Sequence, residues 1–124
     1  MAEAIFNDMA EKNGVCVRAE SFGIATSTGL PVSENSVIAC KEIGIDLSGK
    51  ASTAVADAGI EKYEKFYCMS QSHAKMLMQF FLVQPEKIAV LGISDPYGGD
   101  IDVYRHCRDE IVNSVKEILK AYEN

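Results

Sequence analysis

Patterns typical of helices and patterns typical of strands alternate along this chain, and this order limits its fold more than any other feature. Strands are predicted by alternation over Val15 to Ser21 and by short apolar runs at Phe66 to Met69 and Ile88 to Leu91. Apolar residues at helical spacing predict a long last helix over Tyr104 to Tyr122. Because parallel strands need crossover connections that are usually helices, the order predicts an α/β fold with a mostly parallel sheet.

Capping residues place the starts of the predicted helices. Ser33 is a suitable N-cap for a helix that runs to about Ile43, and Ser70 for the helix after the second strand run. Asp100 is placed to cap the last helix, and Thr53 a short one through residue 57. The chain opens on a predicted helix over Ala2 to Asn13, with Ile5, Phe6 and Met9 on one face and Gly14 as its stop. No strand is predicted before it.

Length and charge exclude several classes of protein. The 124 residues suit one domain, 1–124, and 18 acidic against 12 basic residues give a net charge of −6. An acidic surface repels phosphate backbones and anionic lipids, so neither nucleic acid nor a membrane is predicted as a partner. The sequence shows no export leader, and the predicted location is the cytoplasm.

The four cysteines indicate packing rather than metal binding. They are separated by 24, 28 and 39 residues, without a Cys-x-x-Cys pair or a Cys/His pair at zinc spacing. We therefore expect small buried hydrophobes, with no metal site and no cofactor.

Two loops that follow predicted strands contain candidate functional groups. Asp95 follows the last strand, where its carboxyl group could act as a general acid on a bound ligand, or Asp-Pro-x-Gly could simply form a turn. The Ser21 hydroxyl follows the first predicted strand, where it could hold a phosphate-binding backbone or satisfy its own loop. The residues alone leave both choices open.

Five segments, in order and spacing, resemble the low-molecular-weight protein tyrosine phosphatases, whose fold is shared with thioredoxin-linked arsenate reductases. The segments are Met1-Ala2-Glu3-Ala4-Ile5-Phe6, Glu20-Ser21-Phe22-Gly23, Gly44-Ile45-Asp46-Leu47-Ser48, Cys68-Met69-Ser70-Gln71-Ser72-His73 and Asp95-Pro96-Tyr97-Gly98-Gly99. The resemblance implies a three-layer fold. It implies that Asp95 is the general acid, that Tyr97 lines the substrate pocket and that Ser21 supports the phosphate-binding loop.

The family's phosphate-binding loop, C-x5-R, has no counterpart in these residues. The residues six positions after the four cysteines are Phe22, Asp46, Ala74 and Asn113, and none is an arginine. The family's first strand, which lies inside its sheet, is missing as well. We therefore expect an N-terminally truncated form that is inactive alone and that self-associates, as a homo-oligomer, through the open sheet edge.

The sequence leaves four candidate functions. The first is hydrolysis of phosphotyrosine in a phosphorylated protein, which needs the missing loop to bind the phosphate or another oxyanion. A phosphoarginine phosphatase is a close variant that Gly98-Gly99 favours. Arsenate reduction is disfavoured because no cysteine lies between Cys68 and Cys107. The last is a non-catalytic, self-associating interaction protein.

Overall fold

The computed structural model describes residues 1–22, 33–47, 59–96 and 98–122. Its helices in these ranges are α1 (Ala2–Lys12), α2 (Glu34–Lys41), α3 (Gln71–Phe80) and α4 (Ile101–Lys120). Its strands are β1 (Phe66–Cys68) and β2 (Ile88–Val90), with 3-10 turns at Ile60–Lys62 and Pro85–Lys87. Within these ranges, no helix combines the length and the apolar character that crossing a bilayer requires.

Three of the predicted helix caps are confirmed. The side chains of Ser33, Ser70 and Asp100 accept hydrogen bonds from the first-turn amides of α2, α3 and α4. The helix α2 ends at Lys41, two residues earlier than predicted, because the chain turns there toward Gly44 at φ +83°. The short helix predicted from Thr53 lies outside the described residues.

The predicted parallel sheet is present. The strand β1 pairs in parallel with β2, and Phe66 lies opposite Ile88. The strand predicted over Val15 to Ser21 is wrong, because these residues have no ladder partner in the described chain. The Asn7 side chain instead bonds both backbone groups of Ala19, at 2.8 and 2.9 Å, where a neighbouring strand would otherwise pair.

Helices cover both faces of the two strands, as expected of a three-layer fold. On one face, Phe66 and Cys68 pack with Leu77 of α3 in one buried cluster. On the other face, α1, α2 and α4 contribute to a second and larger cluster, which the loop after β2 joins through Ile93. Ile88 and Val90 of β2 also pack against the first cluster, whereas Met69 and Leu91, just after the strands, pack against the second.

The four cysteines differ in burial. Cys40, Cys68 and Cys107 are buried, as predicted. Cys16 is exposed, and the expectation that it is buried is wrong. It lies between two partly buried valines, so its side chain points to the opposite side of the segment.

Candidate functional site

An open groove runs between β1 and the segment 17–22, with α1 and α4 along its floor. Its volume is about 660 Å³. The helix side chains that line it are largely apolar and include Phe6, Ile111, Val115 and Ile118. At one end the carboxyl ends of both strands meet the first turns of α1 and α3, which is where ligands bind in open α/β sheets.

Two of the three predicted site residues lie on the wall of this groove. Ser21 comes from the segment that precedes the first gap in the described chain, and Asp95 comes from the loop after β2. The helix α1 adds Glu3, and α3 adds His73 in its first turn. The structure therefore brings Ser21 and Asp95 to one groove, whereas Tyr97 lies outside the described residues.

Ser21 is fixed by a carboxylate that the sequence analysis missed. Its backbone amide and its hydroxyl both donate to Glu3 Oε1, at 2.7 and 3.1 Å. Glu3 lies in the first turn of α1, where the helix dipole favours a negative charge. Its position near a helix start was the available signal, but the partner, 18 residues away, was not predictable from spacing.

The loop that carries Asp95 is held on both sides. Before it, the Ile93 amide donates to the Met69 carbonyl at 3.0 Å. After it, the Gly99 amide donates to the Pro96 carbonyl at 2.8 Å, so this segment does form a turn. Asp95 itself is exposed, so its carboxyl group can reach solvent and a bound ligand. The turn therefore leaves the Asp95 side chain exposed on the groove.

The buried cysteines are poor nucleophiles. Burial raises the pKa of the Cys40, Cys68 and Cys107 thiols, which disfavours the reactive thiolate at neutral pH. Of these, Cys68 lines the groove. In the part of the chain that the structure describes, no group of three or more His, Cys, Asp or Glu side chains is placed to hold a metal ion.

An aromatic cluster that the sequence analysis did not predict lies at one wall of the groove. The rings of Phe22, Tyr63 and Phe66 pack with centroids 6.0 to 6.2 Å apart. The Tyr63 hydroxyl donates to the Glu20 carboxylate, and Lys62 lies 3.5 Å from the same group. The hydrogen bond from Tyr63 and the charge of Lys62 lower the pKa of Glu20, which favours the carboxylate.

Comparison with known proteins identifies the fold and the family. The model of the family described as low molecular weight phosphotyrosine protein phosphatase matches residues 1–124. The chain belongs to this family. Its curated relatives include a protein-arginine-phosphatase of Bacillus subtilis, 27% identical over 129 residues, covering 97% of this chain and 85% of the relative. Another, from Geobacillus stearothermophilus, is 28% identical and covers 86% and 78%.

Solved structures of the family superpose closely on this chain. The low molecular weight protein tyrosine phosphatase from T. tengcongensis is 25% identical with a TM-score of 0.90, covering 97% of this chain and 88% of that one. A YwlE arginine phosphatase structure is 26% identical with a TM-score of 0.90, covering 97% and 84%. In that structure a serine replaces the active-site cysteine and carries a phosphate. The predicted α/β fold of this family is confirmed.

Proposed function

We propose that residues 1–124 form the scaffold of a protein phosphatase that acts on phosphorylated proteins, with Asp95 as its general acid. The observation that supports this role is that Asp95 lines the same groove as Ser21 and Glu3 of the first turn of α1. A carboxylic acid there can give its proton to the leaving oxygen as the phosphorus–oxygen bond breaks. The carboxylate that remains can then accept a proton from the attacking water. Tyr97 would contact the substrate.

We also propose that these residues do not turn over substrate by themselves. The family's nucleophile and its phosphate clamp belong to a C-x5-R loop, and no cysteine of this sequence has an arginine six residues later. Three of its four thiols are buried and are held in the protonated form. Losing a nucleophile typically lowers the rate by orders of magnitude. The single domain over residues 1–124 and the cytoplasmic location remain predictions.

Hydrolysis of a phosphotyrosine peptide tests both proposals. The chain alone should match the blank, whereas a version extended at Met1 by an apolar strand and a C-x5-R-S-P loop should release phosphate.

In the extended version, Asp95→Asn should lower kcat by about 10² to 10⁴ fold, because no acid protonates the leaving group. Asp102→Asn, at an exposed carboxylate on α4, is the matched control and should change little. Turnover by the unextended chain that Asp95→Asn abolishes would contradict the inactivity.

Phosphoarginine is the alternative substrate. Both curated relatives described above are protein-arginine-phosphatases, and the Asp95 loop contains Gly98-Gly99. The extended protein should then hydrolyse a phosphoarginine peptide with a higher kcat/KM than the matching phosphotyrosine peptide. The reverse preference would favour the tyrosine phosphatase.

We also propose that residues 1–124 self-associate as a homo-oligomer. An unpaired edge of a sheet is a ready template for another chain. Sedimentation velocity over a range of concentrations should show a homo-oligomer, and a single monomeric species throughout would contradict this.

A further inference from the structure

We propose that two copies of this chain associate about a two-fold axis, with Phe80 of each copy seated in a cleft at the end of α3 of the other. This inference rests on the homo-oligomer proposed above and names its interface. The interface consists of side chains, and it requires neither strand pairing nor phosphatase activity.

The cleft at the end of α3 has an apolar lining. Its volume is about 360 Å³, near the lower end of the range of ligand-binding clefts. Phe66 lines it and is buried, and Tyr63, Phe81 and Val83 are half-buried and pack against the same cluster. An aromatic ring that enters the cleft therefore meets aromatic and aliphatic side chains, on which it can bury apolar surface.

Two large apolar side chains project from the protein next to this cleft. Phe80, the last residue of α3, is 70% exposed, and Leu82 is 82% exposed. Leu82 lines the cleft, whereas Phe80, two residues earlier, does not. Neighbouring exposed apolar groups mark a surface that binds another molecule. Because Phe80 does not fill its own cleft, its ring is available to the cleft of a second copy.

The backbone of Leu82 supports a binding role for its side chain. Its φ of +55° lies in the left-handed region, which disfavours a residue with a Cβ and which glycine adopts freely. The side chain is exposed, so packing within one chain does not offset this strain. Strained positions of this kind are typical of functional surfaces. Contact with a second copy would bury the leucine and offset the strain.

Charge favours a second copy over a different polypeptide. The charged side chains that line the cleft are one acid, Glu61, and one base, Lys87. Within the described residues, no ion pair includes either of them. Two-fold contacts are self-complementary, so Glu61 of each copy can meet Lys87 of the other. A cleft with balanced charge thus complements itself and does not select for a strongly acidic or basic partner.

Sedimentation velocity of the full chain tests the contact made by Phe80. The wild-type protein should show a dimer that dissociates on dilution. Phe80→Lys should raise the dissociation constant by about tenfold or more, because a charge replaces the aromatic anchor. Val103→Lys is the matched control, since Val103 is 45% exposed on α4 and does not line the cleft. Far-UV circular dichroism should show both variants folded.

Mixing two charge variants tests the symmetry of the contact. Glu61→Lys places two bases at the cleft and Lys87→Glu two acids, so each variant alone should dimerise about fivefold more weakly than wild type. An equimolar mixture should recover the association as a heterodimer, because each lysine then faces a glutamate of the other chain. Fluorescence-detected sedimentation of one variant, labelled at the exposed Cys16, measures the heterodimer.

Three outcomes would overturn the proposal. A chain that is monomeric at every concentration would overturn it together with the homo-oligomer, and would leave a different polypeptide as the occupant of the cleft. A dimer that persists in Phe80→Lys would overturn this interface alone. A mixture that associates no better than either charge variant would exclude the two-fold contact between Glu61 and Lys87. If Phe80→Lys fails to fold, the charge variants still decide, because they replace exposed side chains.

Discussion

Tyr67 connects β1 with the residues that follow α4. Its side chain is 38% exposed and hydrogen-bonds with Tyr122. Burial, followed by that hydrogen bond, raises the pKa of Tyr67 from 10.0 to about 12. The folded protein therefore holds the phenolic proton more tightly than the unfolded chain. This contribution to stability is fully present below pH 10 and is lost as the pH rises toward about 12.

An alkaline titration followed by tyrosinate absorbance checks this assignment. The wild-type protein should contain a tyrosine that titrates near pH 12, which Tyr67→Phe removes. Tyr63, whose pKa is also raised, first by burial and then by its hydrogen bond with Glu20, should titrate late in both proteins. Tyr122→Phe should lower the late pKa only in part, because burial is the larger cause. Titration curves of the wild type and of Tyr67→Phe that match near pH 12 would contradict the assignment.

The positions of individual site residues were predictable where they stand at the end of a run typical of a strand. Ser21 and Asp95 each follow an apolar or alternating run, and both lie on the groove. Glu3 and Asn7 were missed, although they hold the segment that contains Ser21. Their contacts are 18 and 12 residues away in sequence and have no periodicity, so only the folded chain reveals them.

At the scale of elements, the strongest periodic signals predicted the structure best. The long pattern from Tyr104 appears as the buried stripe of α4, and the short apolar runs form β1 and β2. The alternating run Val15 to Ser21 was wrongly predicted to be a strand. Its inward residues are partly buried, as alternation requires, but a strand also needs a neighbour to pair with. Sequence periodicity fixes which side chains are buried and leaves the pairing open.

The end of α3 provides a prediction at this scale. Leu82 has a φ of +55°, and the Val83 amide donates to the Leu77 carbonyl across the reversal. A left-handed conformation costs about 1 to 2 kcal/mol for a residue with a Cβ, and glycine avoids that cost. Leu82 is 82% exposed, so its removal loses little packing. Leu82→Gly should therefore raise the free energy of unfolding by about 1 kcal/mol.

Urea denaturation measures this change against a matched variant. Leu82→Ala removes the same exposed side chain but keeps a Cβ at the strained position, so it should gain much less. Equal effects of the two substitutions would show that the exposed leucine, and not its backbone conformation, is responsible.

At the scale of the whole molecule, charge joins two elements of the larger core. Glu42, just after α2, accepts hydrogen bonds from Arg105 and Arg108 of α4, at 2.7 to 3.1 Å. Arg108 also donates to the Ala39 carbonyl at 2.9 Å. The two arginines also pair with Asp102 and Asp109 of α4, so three carboxylates share two guanidinium groups. The resulting network connects the short helix α2 with α4.

Acid should weaken this connection. The hydrogen bond from Arg105, and next the one from Arg108, lower the pKa of Glu42 below 4.5. Its contribution to stability is therefore present above that pH and is lost as the pH falls through the lowered value. Urea midpoints should show that Glu42→Gln is less stable than wild type at pH 7 and that the difference shrinks toward pH 3. Glu11→Gln, on the exposed side of α1, is the control and should show a smaller difference at pH 7. A Glu42→Gln deficit that stays constant with pH would mean that the packing of this side chain, rather than its charge, holds α2 against α4.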